Sequence, residues 1–226
     1  MVTLLLIDAS TSTCRVGVAN ETGVLAERTV LDGFKHAEQL TLLIDACMRQ
    51  SGQVYEKLAA VCITGGPGSY TGLRIGASVA KGICFAHQLP LIALNTLEVM
   101  AKGFTLSGIL LSKDDAIVPM IDARRMEVFT AAFLGDGEAF LGPQAMVLDE
   151  SSYHQLRNKK CHFFGDGALK FEGLFSGNGS FESQMYLGVE SMRQLALGAF
   201  ESRKFEDVAY YRPDYHKDFY SASTNK

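Results

Sequence analysis

The stretch from Thr64 to Ser78, TGGPGSYTGLRIGAS, packs five glycines and a proline into fifteen residues and then runs on as a helix-like segment. Glycine inside a helix costs about 1 kcal/mol relative to alanine, so something must approach this backbone closely, either a ligand or another helix. The run before it, LAAVCITG (58–65), is apolar and β-rich, which makes the glycines a strand-to-helix junction. No Gly-Lys-Ser/Thr follows, so this is not a Walker loop, and it does not match the GxGxxG dinucleotide fingerprint. Along the predicted helix, about 71–87, Gly72, Gly76 and Ala80 recur every four residues as a flat track. Leu73, Ile75, Val79, Ile83, Cys84 and Phe85 cover most of the remaining circumference, leaving Arg74, Ser78 and Lys81 as a narrow polar edge. A helix apolar nearly all round is covered on every side, yet in a two-layer α/β unit one side faces solvent. The spare side is therefore covered by a neighbouring helix of the same chain or by a partner protein.

The preceding helical stretch, HAEQLTLLIDACMRQS (36–51), has the same character. Ala37, Leu40, Ile44, Cys47 and Met48 form an inward stripe, while Leu42, Leu43 and Ala46 lie outside it. Clustered beside an apolar helix, they suggest an association surface.

Working outward, TLLLID (3–8), CRVGVAN (14–20) and GVLAERTV (23–30) read as strands, LPLIALN (89–95) as another, and Thr96 to about Phe104 as a helix. The first half is thus three strands, helix, strand, helix, strand, helix. The second half starts the same way, with DAIVPMID (115–122), MEVFTAAFL (126–134) and QAMVLD (144–149) as strands. ESSYHQLRN (150–158) then reads as a helix, CHFFG (161–165) as a strand, DGALKFEG (166–173) as a short helix and 189–203 as a last amphipathic helix. The halves share element order but no sequence identity, and two α/β units in tandem are the expected architecture. LSGILLSKDD (106–115) is the expected joint, giving a first lobe over 1–105 and a smaller second lobe over 106–226, with its C-terminal segment packing back on the first.

The chain has 226 residues, 47% of them hydrophobic, enough for a substantial core. A net charge of −4 argues against a chain that holds nucleic acid by its own surface. No apolar run approaches a membrane span, and the opening MVTLLLID lacks the basic and cleavage features of a signal peptide. The five cysteines (14, 47, 62, 84 and 161) sit singly in apolar segments, as buried thiols of a reduced cytoplasmic protein do.

Chemistry-bearing motifs are few. Asp8 ends the first strand and is followed by Ser10, Thr11, Ser12 and Thr13 in a tight turn. Such a turn offers hydroxyls and backbone N–H groups as phosphate-binding turns do, and Asp8 suits a water-coordinated Mg²⁺. Equally, it is a hairpin whose hydroxyls satisfy their own backbone. Asp122, Arg124 and Arg125 share a turn between strands, either an anion contact or a charged hairpin tip. No two of the five histidines have metal-ligand spacing, and no Ser or Cys sits in a nucleophile elbow. The residues assemble no catalytic set and no metal site.

LLLIDASTS, HAEQL, GGPGSYTGLRIG, AKGI, LNTLEVMA, IDARRMEVF and GDGA, in that order, resemble the TsaB (YeaZ) family across nearly the whole chain. The resemblance implies the actin, Hsp70 and sugar-kinase (ASKHA) fold of two βββαβα lobes, the second reduced. It implies a cytoplasmic, non-catalytic partner that activates the catalytic subunit TsaD in making threonylcarbamoyladenosine beside the tRNA anticodon, with the ATPase TsaE in the larger complex. The His-x₃-His of TsaD is missing here, and the family's old glycoprotease label finds no metal ligands or nucleophile set to support it. The resemblance places the partner contact, or a homodimer contact on the same surface, on the two helices: Leu42, Leu43, Ala46, Gly72, Arg74, Gly76, Val79, Ala80 and Ile83. No cofactor is required on this reading; weak ATP, ADP or Mg²⁺ binding at Asp8, Ser10, Thr11 and Ser12 is the most it implies. No tRNA binding by the chain alone and no membrane contact are expected. The competing reading is a nucleotide-hydrolysing or phosphotransfer enzyme of the same superfamily, with Asp8 and Asp122 facing one Mg²⁺-phosphate.

Overall fold

The computed structural model describes residues 1–31 and 36–215, the side chains of 36–38 excepted. The side chain of Ala37 of the expected inward stripe and the final stretch 216–226 lie outside what is described. In chain order the elements are β1 (Leu4–Asp8), β2 (Cys14–Asn20), β3 (Gly23–Val30), α1 (His36–Ser51), β4 (Ala60–Gly66), α2 (Tyr70–His87), β5 (Leu91–Asn95) and α3 (Thr96–Leu106). There follow β6 (Ala116–Asp122), β7 (Glu127–Leu134), β8 (Ala139–Val147), β9 (Lys160–Phe164), β10 (Asn178–Glu182) and α4 (Val189–Glu201).

The strands form two five-stranded sheets, ordered β3-β2-β1-β4-β5 and β10-β9-β6-β7-β8. Read from the opposite edge, the second order repeats the first. In each sheet the opening strand pairs antiparallel with the next and parallel with the fourth: Leu4 faces Ala19 and Ala60, as Ala116 faces Leu134 and Cys161. β1 is buried along its whole length, as its run of apolar residues requires of a central strand covered on both faces.

The helices are unevenly shared. α1 and α2 cover the outer face of the first sheet, closing a core of Leu5, Ile7, Val16, Leu40, Ile44 and Ile63. α3 and α4 lie between the sheets in a second core joining Leu4, Leu6, Leu97, Phe104, Ile121 and Phe164. α4 follows the second sheet in sequence yet packs on the first. A Cβ on Gly17 of β2 would sit 2.3 Å from Val189 Cγ1 of α4, so glycine is what permits that approach.

Among the described residues no long helix covers the outer face of the second sheet. The helix expected over ESSYHQLRN is a turn ending in a single 3₁₀ turn, His154–Leu156. Asp149 Oδ1 accepts from the N–H and hydroxyl of Ser151 at 2.8 and 2.6 Å, and Tyr153 adopts a left-handed φ of 55°. Local side-chain bonding of this kind competes with helix formation. DGALKFEG likewise supplies only a 3₁₀ turn, Ala168–Lys170. Aromatic rings replace the missing helices, with Phe163 against Phe171, Phe175 and Phe181 at centroid separations of 5.4, 4.9 and 4.8 Å. The third strand of this sheet begins at Ala139, earlier than QAMVLD suggested, and β10 carries no strand signal in the sequence.

Candidate functional site

Asp8 ends β1 at 1% exposure. Its Oδ1 accepts from the Ser10 N–H at 3.0 Å, the Ser10 hydroxyl at 2.7 Å and the Thr64 hydroxyl at 2.8 Å; its Oδ2 accepts from Arg15 Nη1 at 3.0 Å. Thr11 Oγ1 accepts from the Thr13 N–H. Of the two readings of this turn, the hydrogen bonds fit the one in which it satisfies itself. Both carboxylate oxygens are engaged, one of them by a guanidinium cation. Direct ligation of Mg²⁺ by Asp8 would compete with the Arg15 ion pair. Asp122, the other carboxylate of the enzyme reading, is tied to Lys170 and to the Arg124 N–H. Burial pushes its carboxyl up, but those hydrogen bonds outweigh the effect and hold it below the usual Asp value. Arg124 and Arg125 both take left-handed backbone angles, φ 72° and 51°, the geometry of a tight hairpin tip.

The glycines at the β4–α2 junction are explained by the chain itself. A Cβ on Gly68 would meet the Ser10 carbonyl oxygen at 2.2 Å, and one on Gly66, at φ 117°, would meet the Asp214 carbonyl oxygen at 2.0 Å. The loop is therefore squeezed between the first turn and a C-terminal strap, residues 206–215. Ser69 then caps α2 by accepting from the Gly72 N–H.

Further along α2 the expectation needs correcting. Gly72, Gly76 and Ala80 are buried, and a Cβ on Gly76 would touch Ala9 Cβ at 3.6 Å. At Gly76 and Ala80 the track faces the first sheet and its core, and all three residues are buried rather than open to a partner. What faces outward is the other side. Arg74 is exposed and held by Tyr70, 3.0 Å to its hydroxyl; Val79 and Ile83 are half-buried; Phe85 is 84% exposed. On α1, Leu42 is 68% exposed, Ala46 is half-buried, and half-buried Leu43 packs against the core. A shallow cavity of about 300 Å³ lies between the two helices, lined by Thr41, Ile44, Tyr55, Ser78, Val79, Gly82 and Ile83. Of the nine expected interface positions, Leu42, Leu43, Ala46, Arg74, Val79 and Ile83 are exposed or half-buried, and Val79 and Ile83 line the cavity; Phe85 is a further exposed apolar residue of α2.

One constellation was invisible in the sequence. Asp115, His162 and Ser180, from three separate segments, are linked by His162 Nε2 to Asp115 Oδ2 at 3.5 Å and Nδ1 to Ser180 Oγ at 3.1 Å. Asp115 also accepts from the Ser112 N–H, and the imidazole is 7% exposed beneath Phe104. The network ties the α3–β6 connection to β9 and β10. Among the described residues no group of three or more His, Cys, Asp or Glu side chains is placed to hold a metal ion. The five cysteines are buried and unpaired, and burial pushes the Cys14 and Cys84 thiols up to about 11. Among the described residues no helix is long and apolar enough to cross a membrane.

Two lobes with the same strand order, antiparallel hairpin first and parallel strands after, with helices between them, define a chain of the actin, Hsp70 and sugar-kinase fold class. The solved structure titled "YeaZ from Pseudomonas aeruginosa" shares that fold at a TM-score of 0.79, with 22% identity over 95% of this chain and all of that one. The family model described as "TsaD: tRNA N6-adenosine threonylcarbamoyltransferase" matches residues 30–215. Haemophilus influenzae "tRNA threonylcarbamoyladenosine biosynthesis protein TsaB" is 30% identical over 180 residues, 73% of this chain and 72% of that protein. The "tRNA N6-adenosine threonylcarbamoyltransferase" of Lacticaseibacillus casei is 48% identical, but over only 60 residues, 26% of this chain and 18% of that one. The chain belongs to the TsaB family, within the wider TsaD family.

Proposed function

We propose that this chain acts in the biosynthesis of tRNA threonylcarbamoyladenosine as a cytoplasmic, non-catalytic partner and activator of a TsaD-like transferase. It binds that subunit through the outer face of α1 and α2, with a TsaE-like ATPase joining the larger complex and self-association through the same face as an alternative state. The observation that carries this reading is the open apolar face itself. Val79 and Ile83 of α2, with Thr41 and Ile44 of α1, line an open groove between the helices, and Leu42 and Phe85 on the same two helices are 68% and 84% exposed. Contiguous apolar surface of this kind marks a site of association. The non-catalytic role is supported by the first turn, where Arg15 already neutralises Asp8. The test is reconstitution of threonylcarbamoyl transfer to tRNA from purified components. Transfer should require both this chain and the TsaD-like subunit, and the chain alone should turn over no ATP. ATP turnover by the isolated chain that is lost in Asp8→Ala would favour the phosphotransfer reading instead.

A further inference from the structure

After α4 the chain turns at Arg203, φ 52°, and returns to the first sheet. The Glu206 N–H donates to the Leu91 carbonyl at 2.8 Å, an antiparallel bridge to the edge strand β5. The strap then crosses α2. Lys81 Nζ donates to the carbonyls of Ala209 and Tyr211 at 3.1 and 3.2 Å. The Asp214 N–H donates to the Gly65 carbonyl at 2.8 Å, and the Tyr215 ring lies 4.7 Å from that of Tyr70, the first residue of α2. Residues 206–215 therefore grip α2 at its first turn and its middle, and fill the groove that Gly65 and Gly66 leave in the loop before it.

The seat is held but not optimised. The Tyr211 ring packs on the core beneath α1 and α2, yet its hydroxyl is buried against Gly65 with no hydrogen-bonding partner among the described residues. A buried hydroxyl that has lost water without gaining a partner weakens the seated state relative to the open one. Main-chain contact to a sheet edge is the same mode by which extended peptides dock on edge strands; here the ligand is the chain's own C-terminal segment.

We infer that residues 206–215 are a latch that positions α2, with Lys81 and Tyr211 as its positioning residues and the unpaired Tyr211 hydroxyl keeping it releasable. Opening the latch frees the β4–α2 loop and the first turns of α2. Its consequence for partner binding rests on the reading given under the proposed function, because Arg74, Val79 and Ile83 of the binding face ride on that helix.

Native-state hydrogen exchange on the full chain tests the latch without any partner. Lys81→Met and Tyr211→Ala should each lower protection of the 65–80 segment about tenfold while β6, β7 and β9 exchange as in the wild type. Tyr211→Phe keeps the ring and removes the orphaned hydroxyl, so protection of the same segment should rise severalfold. Wild-type exchange over 65–80 in Lys81→Met, or faster exchange in Tyr211→Phe, overturns the inference. Affinity for a TsaD-like subunit, measured on the same variants, should fall in the order Tyr211→Phe, wild type, Tyr211→Ala. If the wild-type chain binds no such subunit the partner reading fails, while the exchange result still decides the latch.

Discussion

Gly76 separates two accounts of the glycine track, one in which it meets a partner and one in which it meets the chain's own sheet. It is buried in mid-helix, with its missing Cβ directed at Ala9 from 3.6 Å, an ordinary van der Waals distance. Gly76→Ala therefore fits without displacement and gains about 1 kcal/mol of helix propensity. For a chain of this size that raises Tm by roughly 2–4 °C. Leucine has nearly the same helix propensity as alanine, so comparing Gly76→Leu with Gly76→Ala cancels propensity and isolates packing. Three further carbons forced against the β1 turn cost about 1–3 kcal/mol, a Tm gap of about 2–12 °C between the two variants. Differential scanning calorimetry on wild type, Gly76→Ala and Gly76→Leu reads both terms. Equal melting temperatures for the two variants, with partner binding lost only in Gly76→Leu, would mean that the track faces outward and that this account of α2 is wrong.

Asp8→Ala strands the Arg15 guanidinium and the Thr64 hydroxyl around a 1%-exposed site. Breaking a buried pair costs about 3–5 kcal/mol, so thermal unfolding should begin roughly 10 °C lower while the folded variant still binds a TsaD-like subunit. Burial pushes the Asp122 carboxyl up, yet Lys170 and the Arg124 N–H hold it below the ordinary Asp value of 3.8. A depressed folded value contributes stability above the unfolded value and loses it as pH falls through the folded one. Thermal melts between neutral pH and about pH 3 should therefore show less acid destabilisation in Lys170→Met than in wild type, with the difference modest because the Asp122 side chain is 40% exposed. With a net charge of −4, the isolated chain should show no tRNA binding by fluorescence anisotropy at physiological salt; a tight, salt-dependent complex would contradict this.

Much of the architecture is legible because it rests on short-range patterns. Apolar runs such as LLLID and AVCITG announce buried strands, and the repeated order of three strands before the first parallel one announces two lobes. The orientation of α2 is not legible, because both sides of that helix are apolar. Periodicity reveals the flat track of Gly72, Gly76 and Ala80 but cannot say that Ala9, 67 positions before Gly76, is what it rests on. The exposure of Leu42 is readable for the opposite reason, since α1 has a clear inward face to be measured against, whereas Leu43, equally off that stripe, packs against the core. The strap leaves no trace in RPDY, whose contacts with Gly65 and Gly66 span about 150 residues of sequence. Long-range contacts also hide the Asp115–His162–Ser180 network. In the second lobe, helical periodicity at 150–158 loses to Asp149, whose carboxylate bonds Ser151 and Ser152 locally.

The central claim is that the outer face of α1 and α2 is the binding surface for a TsaD-like subunit. Leu42→Asp and Phe85→Asp change only exposed side chains, so the fold should survive, with Tm within about 2 °C of wild type. Isothermal titration of the TsaD-like subunit with wild type and the double variant measures the claim directly. The account predicts a one-to-one complex for wild type and an affinity at least a hundredfold weaker for the folded double variant. Unchanged affinity in the double variant would contradict it.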